Sequence, residues 1–289
     1  NLVKKFVKLI IVRKLGTILL LLTISLVGMA QRSEIGGMIG TSFYLGDLNP
    51  TRLFAAPRVA GGIVYRYNFT PRWALKADIL FAEVTASDIN NNKNYDRNLS
   101  FRSPITEISA QLELNFFKIY NIPARNRFSP YIYVGITAFS FNPKAQLDSV
   151  WYDLQPLGTE GQGFEGEEER YSLFNFAIPF GLGVKVNIGK HVCLGLEWGM
   201  RYTFTDYLDD VKGEYYDNQI LRRERGDVVA DLADRSEVLH EAGTARGNIK
   251  TKDLYSFAVF TATFKIGNED RSCDIRYQAK PRIKRGKKH

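Results

Sequence analysis

A chain of 289 residues with 24 glycines and 13% aromatic residues has room for one large all-β domain. Its mean hydropathy of -0.21 excludes a helical membrane protein but not a membrane barrel, whose strands are only half apolar. The formal charge of +8 sits at the two ends: residues 1–30 hold five basic side chains and no acidic one, the tail Arg271–His289 holds eight Lys or Arg against one Asp, and residues 31–270 carry a net -4, which removes a nucleic-acid reading drawn from total charge.

The amino terminus is laid out as a secretory signal peptide. Basic Lys4, Lys5, Lys8, Arg13 and Lys14 precede the apolar run Leu15–Val27, and Gly28-Met29-Ala30 is a small-x-small end before Gln31. The apolar run is short for a spanning helix. No cysteine follows Ala30 directly, so a lipid anchor is not expected. The expected organisation is a signal peptide over 1–30, a barrel over 31–267 and a basic tail over 268–289.

Eight strands are predicted in chain order: Glu34–Gly46, Arg58–Thr70, Trp73–Ala86, Phe101–Lys118, Pro130–Phe141, Leu173–Ile188, Val192–Tyr207 and Leu254–Gly267. Each is long enough for a tilted membrane strand. Their connections alternate in length. The second strand is followed by "TPR", the fourth by "IYNIPARNRFS" and the sixth by "GKH", whereas 47–57, 87–100, 142–172 and 208–253 are long. Short periplasmic turns and long outer loops are the asymmetry of an outer-membrane barrel, and an even strand count places both termini in the periplasm. Asp227–Leu239 has the spacing of a short helix within the last loop.

Strict alternation decides what faces what. In "EISAQLELNFF", Ile108, Ala110, Leu112, Leu114 and Phe116 alternate with Glu107, Ser109, Gln111, Glu113 and Asn115. The sixth strand sets Phe174, Phe176, Ile178, Phe180 and Leu182 against Asn175, Gly181, Gly183 and Lys185, and the seventh sets Leu194, Leu196 and Trp198 against Gly195, Glu197 and Arg201. A small barrel has little internal room, so glycine and polar residues belong inside and bulky apolar ones outside against lipid. The predicted lumen holds Arg66, Lys76, Lys185 and Arg201 beside Asp78, Glu107, Glu113 and Glu197, paired as a plug rather than an open pore. Tyr255 and Phe257 fall on the inward face of the eighth strand, and the pattern offers no account of them. Phe69, Trp73 and Phe116 near the short turns, with Phe174, Tyr202 and Phe204 near the long loops, have the placing of interfacial girdles.

Signals for chemistry are weak. Of the three histidines, His240 lies near Ser236 and Asp234 in sequence, but nothing orients a nucleophile, and it reads as a solvated loop residue. The carboxylates of Gly163–Tyr171 and Asp206–Asp210 lack the alternating oxygen ligands of a calcium loop. "LGTEGQG", Leu157–Gly163, lacks the Lys-Ser/Thr ending of a P-loop. No catalytic residue, metal or cofactor is expected. Cys193 opens the seventh strand and Cys273 follows the eighth, both at the short-turn end, so a Cys193–Cys273 disulfide is expected in the oxidising periplasm. Arg271, Arg276, Lys280, Arg282, Lys284, Arg285, Lys287 and Lys288 make the tail a docking element for an acidic protein face or anionic lipid.

Four phrases carry a family resemblance: "RNLSFRSPITEIS" (Arg97–Ser109), "LGTEGQG" (Leu157–Gly163), "IPFGLGVK" (Ile178–Lys185) and "MRYTFTDYLDDVKGEY" (Met200–Tyr215). They resemble the PorG family, outer-membrane barrel components of the type IX secretion system. The resemblance implies a non-enzymatic barrel that associates with the periplasmic ring of the lipoprotein PorK and its partner PorN. Outer-membrane lipid and lipopolysaccharide are the other expected contacts, with no nucleic acid and no small-molecule substrate. The alternatives are a small porin or solute receptor, a soluble lipocalin-like module with the apolar face turned inward, and a loop-borne acyl-transfer enzyme.

Overall fold

The computed structural model describes residues 33–266 apart from 91–93, 120–126 and 190. The chain divides into two units, Asn1–Ser33 with Ile266–His289, and Glu34–Lys265. Of the first, Ser33 and Ile266 are described, Ser33 as the first residue of one strand and Ile266 as the last of another. The expected signal peptide, the eight basic residues of the tail and Cys273, with its expected bond to Cys193, lie outside the described residues.

Periodicity of two dictates extended chain, and ten strands form among the described residues. They are β1 (Ser33–Leu45), β2 (Arg58–Asn68), β3 (Trp73–Ser87), β4 (Ser100–Asn115), β5 (Phe128–Phe141), a small hairpin β6 (Lys144–Leu147) and β7 (Val150–Asp153), β8 (Phe174–Ile188), β9 (Val192–Thr203) and β10 (Leu254–Ile266). Neighbours run β3-β2-β1-β10-β9-β8-β5-β4, and β3 pairs with β4 to close the ring. The result is a closed eight-stranded antiparallel barrel, with β6 and β7 as an extension beside β4. All eight predicted strands are present, and their ends move by no more than four residues. The largest change is at β9, which stops at Thr203 rather than Tyr207. There Thr203 Oγ1 donates to the carbonyls of Thr205 and Asp253 and turns the chain inward.

Bulky apolar side chains point away from the axis on every wall. Ile39, Val59, Phe81, Ile108, Ile136, Phe180, Leu196 and Phe264 are all more than 40% exposed, while Lys76, Glu107, Gln111 and Glu113 on alternate positions are fully buried. Soluble monomers rarely expose apolar patches of more than a few hundred Å², so a belt of this extent belongs in lipid. The lipocalin-like alternative required the opposite orientation and is overturned. Room inside comes from glycine: a Cβ on Gly199 would stand 1.7 Å from the Tyr133 hydroxyl, so Tyr133 occupies space that only a missing side chain leaves.

The long connections fold over one mouth of the barrel as a cap. It contains α1 (Leu154–Leu157), α2 (Asn218–Arg225) and α3 (Asp227–Ala233). Asp217 caps α2 by accepting the N–H groups of Gln219 and Ile220 through Oδ1. The predicted helix over 227–239 ends at Ala233, because Asp234 leaves the helix in extended conformation and binds the Ser236 and His240 N–H groups instead. Leu221 with Val229, Ala230 and Ala233 makes a small core against Leu157, Phe164 and Tyr216. Arg225 fastens the same two segments by donating to the carbonyls of Leu157, Gly158 and Gln162.

Candidate functional site

Each of the eight predicted lumen charges is at most 4% exposed. Arg66 Nε spans both oxygens of Glu113 at 3.1 and 2.9 Å, and Lys185 Nζ reaches Glu113 Oε2 at 2.7 Å. Lys76 Nζ lies 2.6 and 2.5 Å from the Glu197 oxygens, and the Tyr131 hydroxyl donates to the same carboxylate at 2.8 Å. Arg201 Nη2 meets Glu107 Oε1 at 2.8 Å. These pairs link β3 to β9, β4 to β8 and β4 to β9, so they bridge the lumen between strands that are not neighbours. Buried ions of this kind are tolerated when Coulomb attraction and hydrogen bonds replace the lost water.

The structure alters the predicted balance of four against four. Glu34, which sequence reasoning missed, is the second residue of β1 and receives Arg66 Nη1 at 3.1 Å, Asn68 Nδ2 at 2.9 Å and the Thr263 hydroxyl at 2.8 Å. Asp78 forms no ion pair among the described residues; its Oδ2 accepts from Gln111 Nε2 at 2.8 Å. Extending the inward row back from Tyr44 through Ser42, Gly40, Met38 and Gly36 would have found Glu34.

Aromatics complete the layer. Lys76 lies over the Tyr133 ring, Lys185 over Tyr131 and Arg201 over Phe257, with nitrogen or guanidinium carbon 4.4 to 4.8 Å from the centroids. Tyr255 donates to Glu107 Oε2 at 2.8 Å and packs edge-on against Phe139 and Phe257. That accounts for the two inward aromatics of the last strand. They belong to a second, apolar layer in which Leu80, Val84, Phe101, Ile105, Phe139 and Phe141 join Leu208 and Val211 from the cap. The plug is therefore ionic in one layer and apolar in the next, not ionic throughout.

Polar clasps hold the cap itself. Arg97 pairs with both Asp88 oxygens at 2.7 and 2.8 Å and donates to backbone carbonyls of Arg246 and Asp47. Arg246 donates to Glu160 Oε1 at 2.9 Å and to the carbonyls of Asp210 and Ala233. Asp210 accepts the Tyr171 and Thr159 hydroxyls at 2.6 and 2.5 Å; burial pushes its carboxyl up to about 6, although Arg246 pulls the other way. Asp209 and Asp253 both stand on the Tyr44 hydroxyl. No sequence spacing pointed to these contacts, most of which join residues far apart in the chain.

The loop histidine is drawn into contact, but not into catalytic order. His240 Nδ1 lies 3.1 Å from Asp234 Oδ2 and 3.2 Å from Ser236 Oγ, while the Ser236 hydroxyl also donates to Asp234 Oδ1. One ring nitrogen faces both neighbours, and the serine proton is directed at the carboxylate. A relay needs the base between the two. The ring stacks on Tyr215 at 4.2 Å, as part of a turn. Among the described residues no three His, Cys, Asp or Glu side chains are arranged to hold a metal.

Residues 13–231 match the family DUF6089, described as a domain of unknown function. The chain belongs to that family. No curated protein matches it. Similar solved structures include Neisserial surface protein A, at 9% identity and a TM-score of 0.41 over 81% of this chain and 97% of that one. OprG from Pseudomonas aeruginosa gives 10%, 0.41, 83% and 98%, and Ail, the attachment invasion locus protein of Yersinia pestis, gives 8%, 0.38, 81% and 98%. With its greasy belt outside and its ions within, this DUF6089 chain is an outer-membrane β-barrel.

Proposed function

We propose that this DUF6089 barrel is a non-catalytic component of the type IX protein secretion system, working through its surfaces and not through its lumen. The observation that carries a surface role is the bridged interior: Lys76–Glu197 and Arg201–Glu107 span the barrel, and an apolar layer lies beside them. A solute path would have to break buried ion pairs, each worth roughly 3–5 kcal/mol when one partner is lost. The resemblance to PorG supplies the assembly. Three of its four phrases contribute cap groups, among them Arg97, Glu160, Asp209 and Asp210.

In this reading both termini are periplasmic, the tail from Arg271 to Lys288 docks on the PorK/PorN ring, and the belt contacts outer-membrane lipid and lipopolysaccharide. Crosslinking in intact cells, followed by recovery of the full-length chain and of a version ending at Gly267, tests it. Ring proteins recovered with the full chain and lost from the shortened one are expected. Equal recovery would remove the tail from the mechanism, and no ring protein with either would end the secretion reading. The second reading, a small porin or solute receptor, predicts steady single-channel currents in planar bilayers, which the bridged lumen disfavours.

A further inference from the structure

Tyr44, the inward residue near the outer end of β1, is fully buried, and its hydroxyl oxygen lies 2.5 Å from Asp209 Oδ2 and 2.7 Å from Asp253 Oδ1. The second oxygen of each carboxyl is already engaged: Asp209 Oδ1 accepts the Val211 N–H at 3.0 Å and Asp253 Oδ2 accepts the Leu208 N–H at 2.9 Å. A phenol has one hydrogen to donate. It can satisfy one of the two carboxylates, so the other contact is a hydrogen bond only if that carboxyl brings a hydrogen of its own.

Among the described residues no cationic side chain is hydrogen-bonded to either carboxyl to do that work. The charged groups facing the trio are Asp47 from the β1–β2 connection, Asp206 with Lys252 at 3.5 Å from the same segment as Asp209, and Arg97 from the β3–β4 connection, whose guanidinium is already paired with Asp88. Burial first, and then the facing carboxylates, push Asp209 and Asp253 well above the ordinary carboxylate range. Gly46 makes the close approach possible, since a Cβ there would stand 2.0 Å from Asp253 Oδ1 and 2.1 Å from the Tyr44 hydroxyl.

We propose that Tyr44, Asp209 and Asp253 form a proton-carrying clasp that fastens both ends of the segment 204–253 to the barrel wall, and that loss of the shared proton releases the cap. Asp209 lies near the start of that segment and Asp253 at its end, so one hydroxyl holds both. Opening at rising pH follows from charge: two bare carboxylates on one phenol repel, and the phenol can bind only one. The inference goes beyond the secretion reading and does not depend on it.

Hydrogen exchange of the full chain, refolded in detergent micelles and followed from about pH 6 to about pH 10, tests the clasp after correction for intrinsic exchange rates. Protection of 204–253 should hold at the acidic end and then fall about tenfold per pH unit for one proton lost, while strand amides stay protected. Asp209→Asn and Asp253→Asn each supply the missing hydrogen permanently, with an amide N–H on the phenol oxygen and the amide oxygen on the backbone N–H. Both should keep the cap closed at the alkaline end. Tyr44→Phe should open it throughout the range, which tests the clasp even if an Asn variant does not fold. Protection that is flat with pH in the wild type, or Asn variants opening at the wild-type pH, would overturn the proposal. So would opening by EDTA at neutral pH, which would assign the site to a divalent cation.

Discussion

Three glutamates of the lumen and three aspartates of the cap are buried in opposite ways. In the lumen Glu113 sits between Arg66 and Lys185, Glu107 on Arg201 and Glu197 on Lys76. In the cap Asp209, Asp253 and Asp210 face hydroxyls and one another. Burying a charge beside its opposite costs desolvation that the pairing largely returns. Burying carboxyls beside neutral donors leaves protonation as the cheaper answer. The lumen is thus built to stay shut, whereas the cap depends on its protons.

The contrast breaks most severely if a lumen anion is removed. Glu113→Ala would leave Arg66 with Glu34 alone and Lys185 without its carboxylate, and should cost roughly 3–5 kcal/mol in a urea titration of the folded barrel. The cap should answer to a smaller change. Gly46→Ala drives a methyl group into the Tyr44–Asp253 contact and should cost about 1–3 kcal/mol, seen as faster exchange of 204–253 with the barrel midpoint nearly unmoved.

Asp210 sharpens the comparison through pH. Its carboxyl titrates at about 6 in the folded protein and near 3.8 when unfolded. A raised value means the folded state holds the proton more tightly. Its stabilising effect is complete below the unfolded value and is lost as pH climbs through about 6, by at most about 3 kcal/mol. Cap protection should therefore decline between those values, and Asp210→Asn should flatten that part of the profile. The smallest effect belongs to Arg222, whose pairs with Asp227 and Asp231 are solvent-exposed; Arg222→Ala should leave both the cap and the barrel midpoint unchanged within error.

Most of the barrel wall was legible because each strand carries its own period. Ile108 to Phe116 alternates with Glu107 to Asn115 whatever the neighbouring strand is, and the eight inward charges followed from that parity alone. The partners did not. Lys76 is 121 residues from Glu197, and nothing local distinguishes that pairing from Lys76 with Asp78, the closer acid in sequence. Tyr255 looked misplaced until Glu107, 148 residues away, was seen to need its hydroxyl.

The sequence by itself determined an eight-stranded barrel, the lipid-facing rows and eight of the ions enclosed, because alternation and loop length are local properties of the chain. Only the tertiary structure decided that Glu34 joins the ions, that an apolar layer lies beside them, and that three aspartates and two tyrosines fasten the cap. Those outcomes depend on ring closure, which brings β1 against β10 and folds the long connections over the mouth. Burial then sets the energy of each charge, and burial is a property of the closed barrel, not of any segment of it.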